Sequence, residues 1–245
     1  MFDSAIASGL QPSVHNFSPL LKSCGSSSRA RELLQRMDFV NVESNVISFT
    51  AAIKSCESSG DWRGALEILD LMRVCDVAPN EVTYSCIINV ASQGNAGSVA
   101  VNVLREMQQN GFKSNIFAYA SALVACARSG MWVEVDNLLS EMKRIGMPVQ
   151  ESVMISVVNV CRERIPALSK ERSQPPNWSK ALWLIERWAS RVTGATDSLY
   201  TMAMDVCESA KRYDKVITVY RIMVYCSIDI AHALFLRTYV FLDVA

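Results

Sequence analysis

The chain has 245 residues, with 24 basic and 24 acidic side chains and no formal net charge. Half of the residues are hydrophobic, too many for a disordered chain. The balanced charge lacks the strongly basic footprint that alone marks a nucleic-acid binder. No uninterrupted apolar run approaches the roughly 20 residues of a membrane span; the most apolar region, near 216–245, is broken by Arg221, Asp229 and Arg237.

Residues 1–13 contain neither the basic start and apolar run of a secretory signal nor the arginines of a transit peptide. They read as the tail of a truncated repeat, with Gly9 and Pro12 at the places of Gly111 and Pro79. Residues 14–45 form a short repeat, its deletion lying between Cys24 and Ala30. Three full repeats follow, 46–80, 81–115 and 116–150, in one 35-residue register. An aromatic stands at place 4 (Phe49, Tyr84, Tyr119) and methionine at place 27 (Met72, Met107, Met142). Residues 151–196 are a repeat with an insertion near 163–176, charged and ending in Pro175 and Pro176, a surface-loop composition. Residues 197–231 return to register, and 232–245 begin another first helix as a partial repeat.

A fixed period in this range marks stacked helical repeats. In the repeat 81–115, Val82, Cys86, Ile87 and Val90 recur at helical spacing before a turn at Gly94. Val99, Val103, Leu104 and Met107 share a face before Gly111. In the preceding repeat, Leu66, Leu69 and Met72 are expected in the core, and Pro79 and Pro148 stand just before repeat starts. Neither helix pair can bury its stripe alone. The expected fold is therefore all-α, a right-handed superhelical solenoid of stacked helix–turn–helix repeats of about 35 residues.

Most recurring residues read as packing. Trp62, Trp132, Trp178 and Tyr213 share place 17, and Met37 and Met223 join the methionines at place 27, where Trp188 substitutes. Cys24, Cys56, Cys126, Cys161 and Cys207 share place 11, as small buried thiols would. There is no CxxC pair, and His15 and His232 lie far apart, so no metal is expected. No Gly-rich phosphate loop and no paired carboxylates suggest an enzyme, and no cofactor is expected.

The tetratricopeptide start W-x-x-L-G-x-x-Y is absent. Instead VISFTAAI (46–53), ALEILDLM (65–72), VTYSCII (82–88) and VLREMQQNGFKSN (103–115) resemble the pentatricopeptide repeat family over nearly the whole chain. That resemblance implies single-stranded RNA as partner, with one repeat reading one base. Place 5 and place 35 read the base edge, and place 2 sandwiches the base. Single-stranded bases expose the edges that such side chains can bond.

The implied reading pairs are Ser18 with Asn45, Thr50 with Asn80, and Ser85 with Asn115, each of a kind the family uses for adenine. The RNA would run 5′ to 3′ from the N- to the C-terminus. The implied sandwiching residues are His15, Ile47, Val82 and Phe117. The pattern then fades: Ala120 with Gln150, Ile155 with Thr196 and Thr201 with Ala231, while Ser152 and Ser198 replace the bulky place 2. Asn at a repeat end is equally a helix cap.

Lys22, Lys54 and Arg128 on first helices are expected to face the groove, offset by Glu57 and Glu81. Arg162, Arg164, Lys170 and Arg172 around the insertion read as a solvated loop. The resemblance implies an adaptor in RNA processing, stability or translation in a mitochondrion or chloroplast, without membrane or small-molecule substrate. The alternative is a protein-interaction scaffold, with protein partners meeting the C-terminal half.

Overall fold

Helix starts follow from polar residues at the repeat junctions. The computed structural model describes residues 13–162, 178–188 and 197–225. Asn45, Asn80 and Asn115 stand in extended backbone. Each Oδ1 accepts a main-chain N–H of the next turn, from Ser48 (3.1 Å), Thr83 (3.0 Å) and Ala118 (2.9 Å). These are donors that no helical carbonyl reaches. Among the described residues the helices are α1 (Val14–Lys22), α2 (Ser27–Phe39), α3 (Val46–Ser55), α4 (Trp62–Val74), α5 (Glu81–Gln93) and α6 (Gly97–Gln109). They continue as α7 (Ile116–Arg128), α8 (Trp132–Arg144), α9 (Glu151–Arg162), α10 (Trp178–Trp188), α11 (Asp197–Ser209) and α12 (Tyr213–Tyr225).

Helix ends are equally regular. A residue at positive φ follows the first helices at Gly60, Asn95, Gly130 and Lys211, and the second helices at Asn41, Asp76, Gly111 and Gly146. The chain then turns back on itself: Phe112 N–H reaches the Met107 carbonyl (3.1 Å) and Met131 N–H reaches that of Cys126 (2.8 Å). This left-handed closure satisfies carbonyls at the helix end and stops the helix.

The chain divides into two compact units, 1–131 and 132–245. In the first, α1, α3, α5 and α7 pack each on the next. Helices α2, α4 and α6 pack against their own first helix and the one that follows. In the second unit α9 packs on α11, and α10 contacts α9, α11 and α12. Both units are all-α stacks of helices, with no sheet among the described residues.

The core repeats as regularly as the turns. First helices bury places 4, 7, 8 and 11: Phe49, Ala52, Ile53 and Cys56 in α3, and Tyr84, Ile87, Ile88 and Ala91 in α5. Second helices bury places 20, 23, 24 and 27, such as Ala65, Ile68, Leu69 and Met72. Every methionine at place 27 is buried, and so is Trp188 in the same role. The thiols of Cys56, Cys126, Cys161 and Cys207 are buried, and Cys24 is half-buried. Burial pushes the Cys161 thiol up to about 12 and is the first cause of a value of about 11 at Cys56 and at Cys207. These thiols stay protonated and unreactive.

Two sequence expectations are corrected, and a third is refined. Val82 does not share the buried stripe; it is exposed, and Cys86 is half-buried, because the stripe runs through places 4, 7, 8 and 11 instead. Leu66 is only half-buried beside the fully buried Leu69. At place 17 the tryptophans are half-buried, with Arg63 stacked over Trp62 (4.5 Å) and Arg212 over Trp178 (4.2 Å), while Tyr213 is exposed. The insertion near 163–176, the partial repeat 232–245 and residues 1–12 lie outside the described residues.

Two stability measurements check this packing. Leu69→Ala is expected to cost about 2–5 kcal/mol in chemical denaturation, since its side chain is buried on all sides. Asp76→Gly is expected to stabilise by roughly 0.5–1 kcal/mol, because φ of +59° at Asp76 burdens a Cβ that glycine lacks.

Candidate nucleic-acid interface

On an α-helix, places 2, 5, 9 and 12 fall on one face, opposite the buried places 4, 7, 8 and 11. In the first unit this leaves a continuous outward stripe on each first helix. Place 2 carries large apolar side chains that nothing covers: Ile47 is 62% exposed, Val82 58% and Phe117 75%. His15 is also exposed. A repeated, uncovered apolar residue at one register position is what base stacking needs and what core packing does not explain.

The place-5 residues Ser18, Thr50 and Ser85 are half-buried one turn further along. Their partners differ. The Ser18 hydroxyl bonds back to the Val14 carbonyl (3.0 Å) within its own helix. The Thr50 hydroxyl meets that of Thr83 (3.0 Å), and Thr83 in turn donates to Asn80 Oδ1 (3.0 Å). Thr83 has one hydroxyl proton, so Thr50 is the donor in the first of these bonds. A directed chain thus links Thr50 to Asn80 through Thr83. It leaves the Thr50 oxygen as an acceptor and the Asn80 amide NH₂ as a donor. The Ser85 hydroxyl oxygen is buried without a hydrogen-bond partner.

The asparagines are held by the same N-cap geometry but not equally. Asn45 Oδ1 accepts from Ile47 N–H (3.0 Å), Ser48 N–H (3.1 Å) and the Ser48 hydroxyl (3.2 Å). Asn80 Oδ1 accepts from the N–H and the hydroxyl of Thr83. Asn115 has Ala118 at the equivalent place, so among the described residues its Oδ1 accepts the Ala118 N–H alone, and its Nδ2 donates to Glu81 Oε1 (2.7 Å). The structure brings Thr50 and Asn80 into one network; Ser18 with Asn45 and Ser85 with Asn115 share no hydrogen bond. Sequence reasoning missed Ser48 and Thr83. The Asn-x-x-Ser/Thr spacing, a variant of the capping box, was the available signal.

Lys22 and Lys54, both at place 9, are exposed and line a cleft of about 560 Å³ with Ser23, Gly25, Ser55, Glu57 and Ser58. The acidic neighbour Glu57 accepts the Asn89 amide (2.7 Å). Arg128 differs from expectation. It is half-buried, and its guanidinium donates to the Ser92 carbonyl (3.3 Å) in the last turn of α5, where a cation offsets the helix dipole.

In the second unit the stripe changes character. Ser152 is exposed, Ile155 half-buried, Ser198 exposed and Thr201 half-buried. Thr196 and Ala231 lie outside the described residues, as do Arg164, Lys170 and Arg172. Among the described residues no group of His, Cys, Asp or Glu is placed to hold a metal, and no helix is long and apolar enough to cross a membrane.

The family model for the pentatricopeptide repeat domain matches residues 32–93 and 102–148, and that for a single such repeat matches 82–112. The chain is 24% identical over 165 residues to a mitochondrial pentatricopeptide repeat-containing protein of Arabidopsis thaliana, covering 64% of this chain and 40% of that one. A chloroplastic pentatricopeptide repeat-containing protein of the same plant is 28% identical over 118 residues, 48% of this chain and 14% of its own length. This chain thus spans less than half of these curated relatives. Among solved structures it is similar in fold to the pentatricopeptide repeat protein PPR10 from maize, with a TM-score of 0.67 at 18% identity over 93% of this chain and 31% of the other. It is similar also to PPR10 in complex with an 18-nt psaJ RNA element, with a TM-score of 0.57 at 15% identity over 91% of this chain and 37% of that one. Register, helix pairing and family match agree, and residues 32–148 are repeats of the pentatricopeptide repeat family.

Proposed function

We propose that this chain binds single-stranded RNA along the outward stripe of its first helices, as an adaptor in organellar RNA processing, stability or translation. One observation carries the reading: Ile47, Val82 and Phe117 stand uncovered at one place per repeat, beside the place-5 and place-35 polar groups. Bases stack between successive apolar side chains, and the polar pair meets the base edge. The Thr50 oxygen accepts and the Asn80 amide donates, matching in kind the amino group and ring nitrogen of adenine. Three pairs of a small hydroxyl with Asn in one register favour an A-A-A core. The mitochondrial and chloroplastic relatives support an organellar setting, and the RNA complex of PPR10 supports the ligand class.

The protein is expected to bind an A-rich single strand more tightly than a C-rich one in a fluorescence-anisotropy titration. Thr50→Asn combined with Asn80→Asp is expected to move the preference at one base toward U. Equal binding to both strands, unaltered by the double change, would sink base reading. Backbone contact is tested separately. Replacing Lys22 and Lys54 with Gln is expected to weaken binding to every sequence and to flatten log K against log salt by about 0.7 per lysine; an unchanged slope would remove both lysines from the phosphate path.

A further inference from the structure

The third reading pair is built differently from the second. At Asn45 and Asn80 the amide oxygen is held by a place-3 hydroxyl as well as by the main chain, and among the described residues the amide NH₂ has no partner. At Asn115 the place-3 residue is Ala118, and the NH₂ group is bound by the carboxylate of Glu81 at 2.7 Å. A hydrogen bond to an ionised acceptor is shorter and stronger than a neutral one. Glu81 opens α5, where a carboxylate is favoured by the helix dipole. The corresponding residue one repeat earlier is Val46, which has no acceptor.

The other half of the same pair is also distinctive. Ser85 lies four residues after Glu81 on α5, and its hydroxyl oxygen is buried without a partner. An unsatisfied buried hydroxyl is costly, and a ligand group that bonds it is rewarded. The third pair therefore combines an unused hydroxyl with an amide already engaged.

We infer that Glu81 is a specificity-determining residue that masks the third reading pair. Resting on the base-reading proposal above, this makes the third nucleotide the weakest-read of the three, because Glu81 already takes one of the two N–H donors of Asn115 Nδ2 and the base must compete with its carboxylate for that amide. Glu81 acts as an internal competitor for the base edge, beyond the general repulsion that any carboxylate exerts on phosphates.

The experiment measures Kd for an A-A-A strand and for the same strand with an abasic third nucleotide, using the whole chain as wild type, Glu81→Val, Asn115→Ala and the double variant. Circular dichroism confirms helicity, and Glu81→Gln serves as a second variant that keeps the size and removes the charge. Glu81→Val is expected to tighten binding of the intact strand roughly tenfold. The gain shrinks to that of a general charge removal on the abasic strand and in the Asn115→Ala background. Glu57→Gln, on the same face, sets the size of that general effect. Equal tightening on intact and abasic strands, or with and without Asn115, overturns the masking role while leaving base reading intact. Failure of every variant to bind either strand overturns base reading, and the inference falls with it.

Discussion

One asparagine side chain ends each of the repeats 14–45, 46–80 and 81–115 and begins the next. Asn45, Asn80 and Asn115 satisfy main-chain donors at the starts of α3, α5 and α7. Substituting a capping residue by alanine costs about 1 kcal/mol, so the position is constrained before any ligand is considered. Capping also orients the amide. With Oδ1 turned to the helix, Nδ2 is the end left to donate, and a side chain fixed in this way loses little freedom when a base arrives. In the proposed reading, capping and recognition use opposite ends of the same group, so the cap at this place does not compete with base reading.

The same division organises each first helix. Its period brings places 4, 7, 8 and 11 inward and turns 2, 5 and 9 outward. The inward set explains why the aromatic at place 4 and the cysteine at place 11 recur, since both are core, and it leaves place 2 free of any packing role. Phe117 and Val82 are exposed for want of a covering neighbour on that face, whereas Tyr84 and Tyr119, two places further along, are buried.

Much of this was legible in the sequence because a repeat supplies its own comparison. Six aligned segments separate the packing places from the variable ones, and in the repeat 81–115 the helix ends follow from Gly94 and Gly111. Legibility failed where the decisive contact crosses between repeats. Thr83 looks unremarkable within its own repeat; its meaning comes from Thr50, 33 residues earlier. Glu81 was read as a charge that offsets lysines, and its bond to Asn115, 34 residues later, is invisible to local periodicity. Arg128 was assigned to the groove by its place on a first helix, but the carbonyl of Ser92 on the preceding first helix holds it. Val82 was assigned to two faces at once, and only the packing of Tyr84, Ile87 and Ile88 decides between them.

Zero net charge is compatible with an RNA ligand because the charges are not spread evenly. Acidic side chains on the second helices are matched there: Arg31 with Glu67 (2.8 Å), Arg73 with Glu106, and Arg187 with Asp136 (2.7 Å). On the first helices Glu57 and Glu81 are engaged by Asn89 and Asn115, while Lys22 and Lys54 stand exposed. Along the first unit, place 9 runs Lys22, Lys54, Asn89, Val124, and place 5 runs Ser18, Thr50, Ser85, Ala120. The cation that would meet phosphate is lost at Asn89, and the hydroxyl that would meet a base is lost one repeat later, at Ala120. Neither loss follows from packing, because neither place belongs to the buried set. In the proposed reading one nucleotide brings both its phosphate and its base to one repeat, so the third repeat keeps a hydroxyl for the base without a place-9 cation, and the fourth keeps neither.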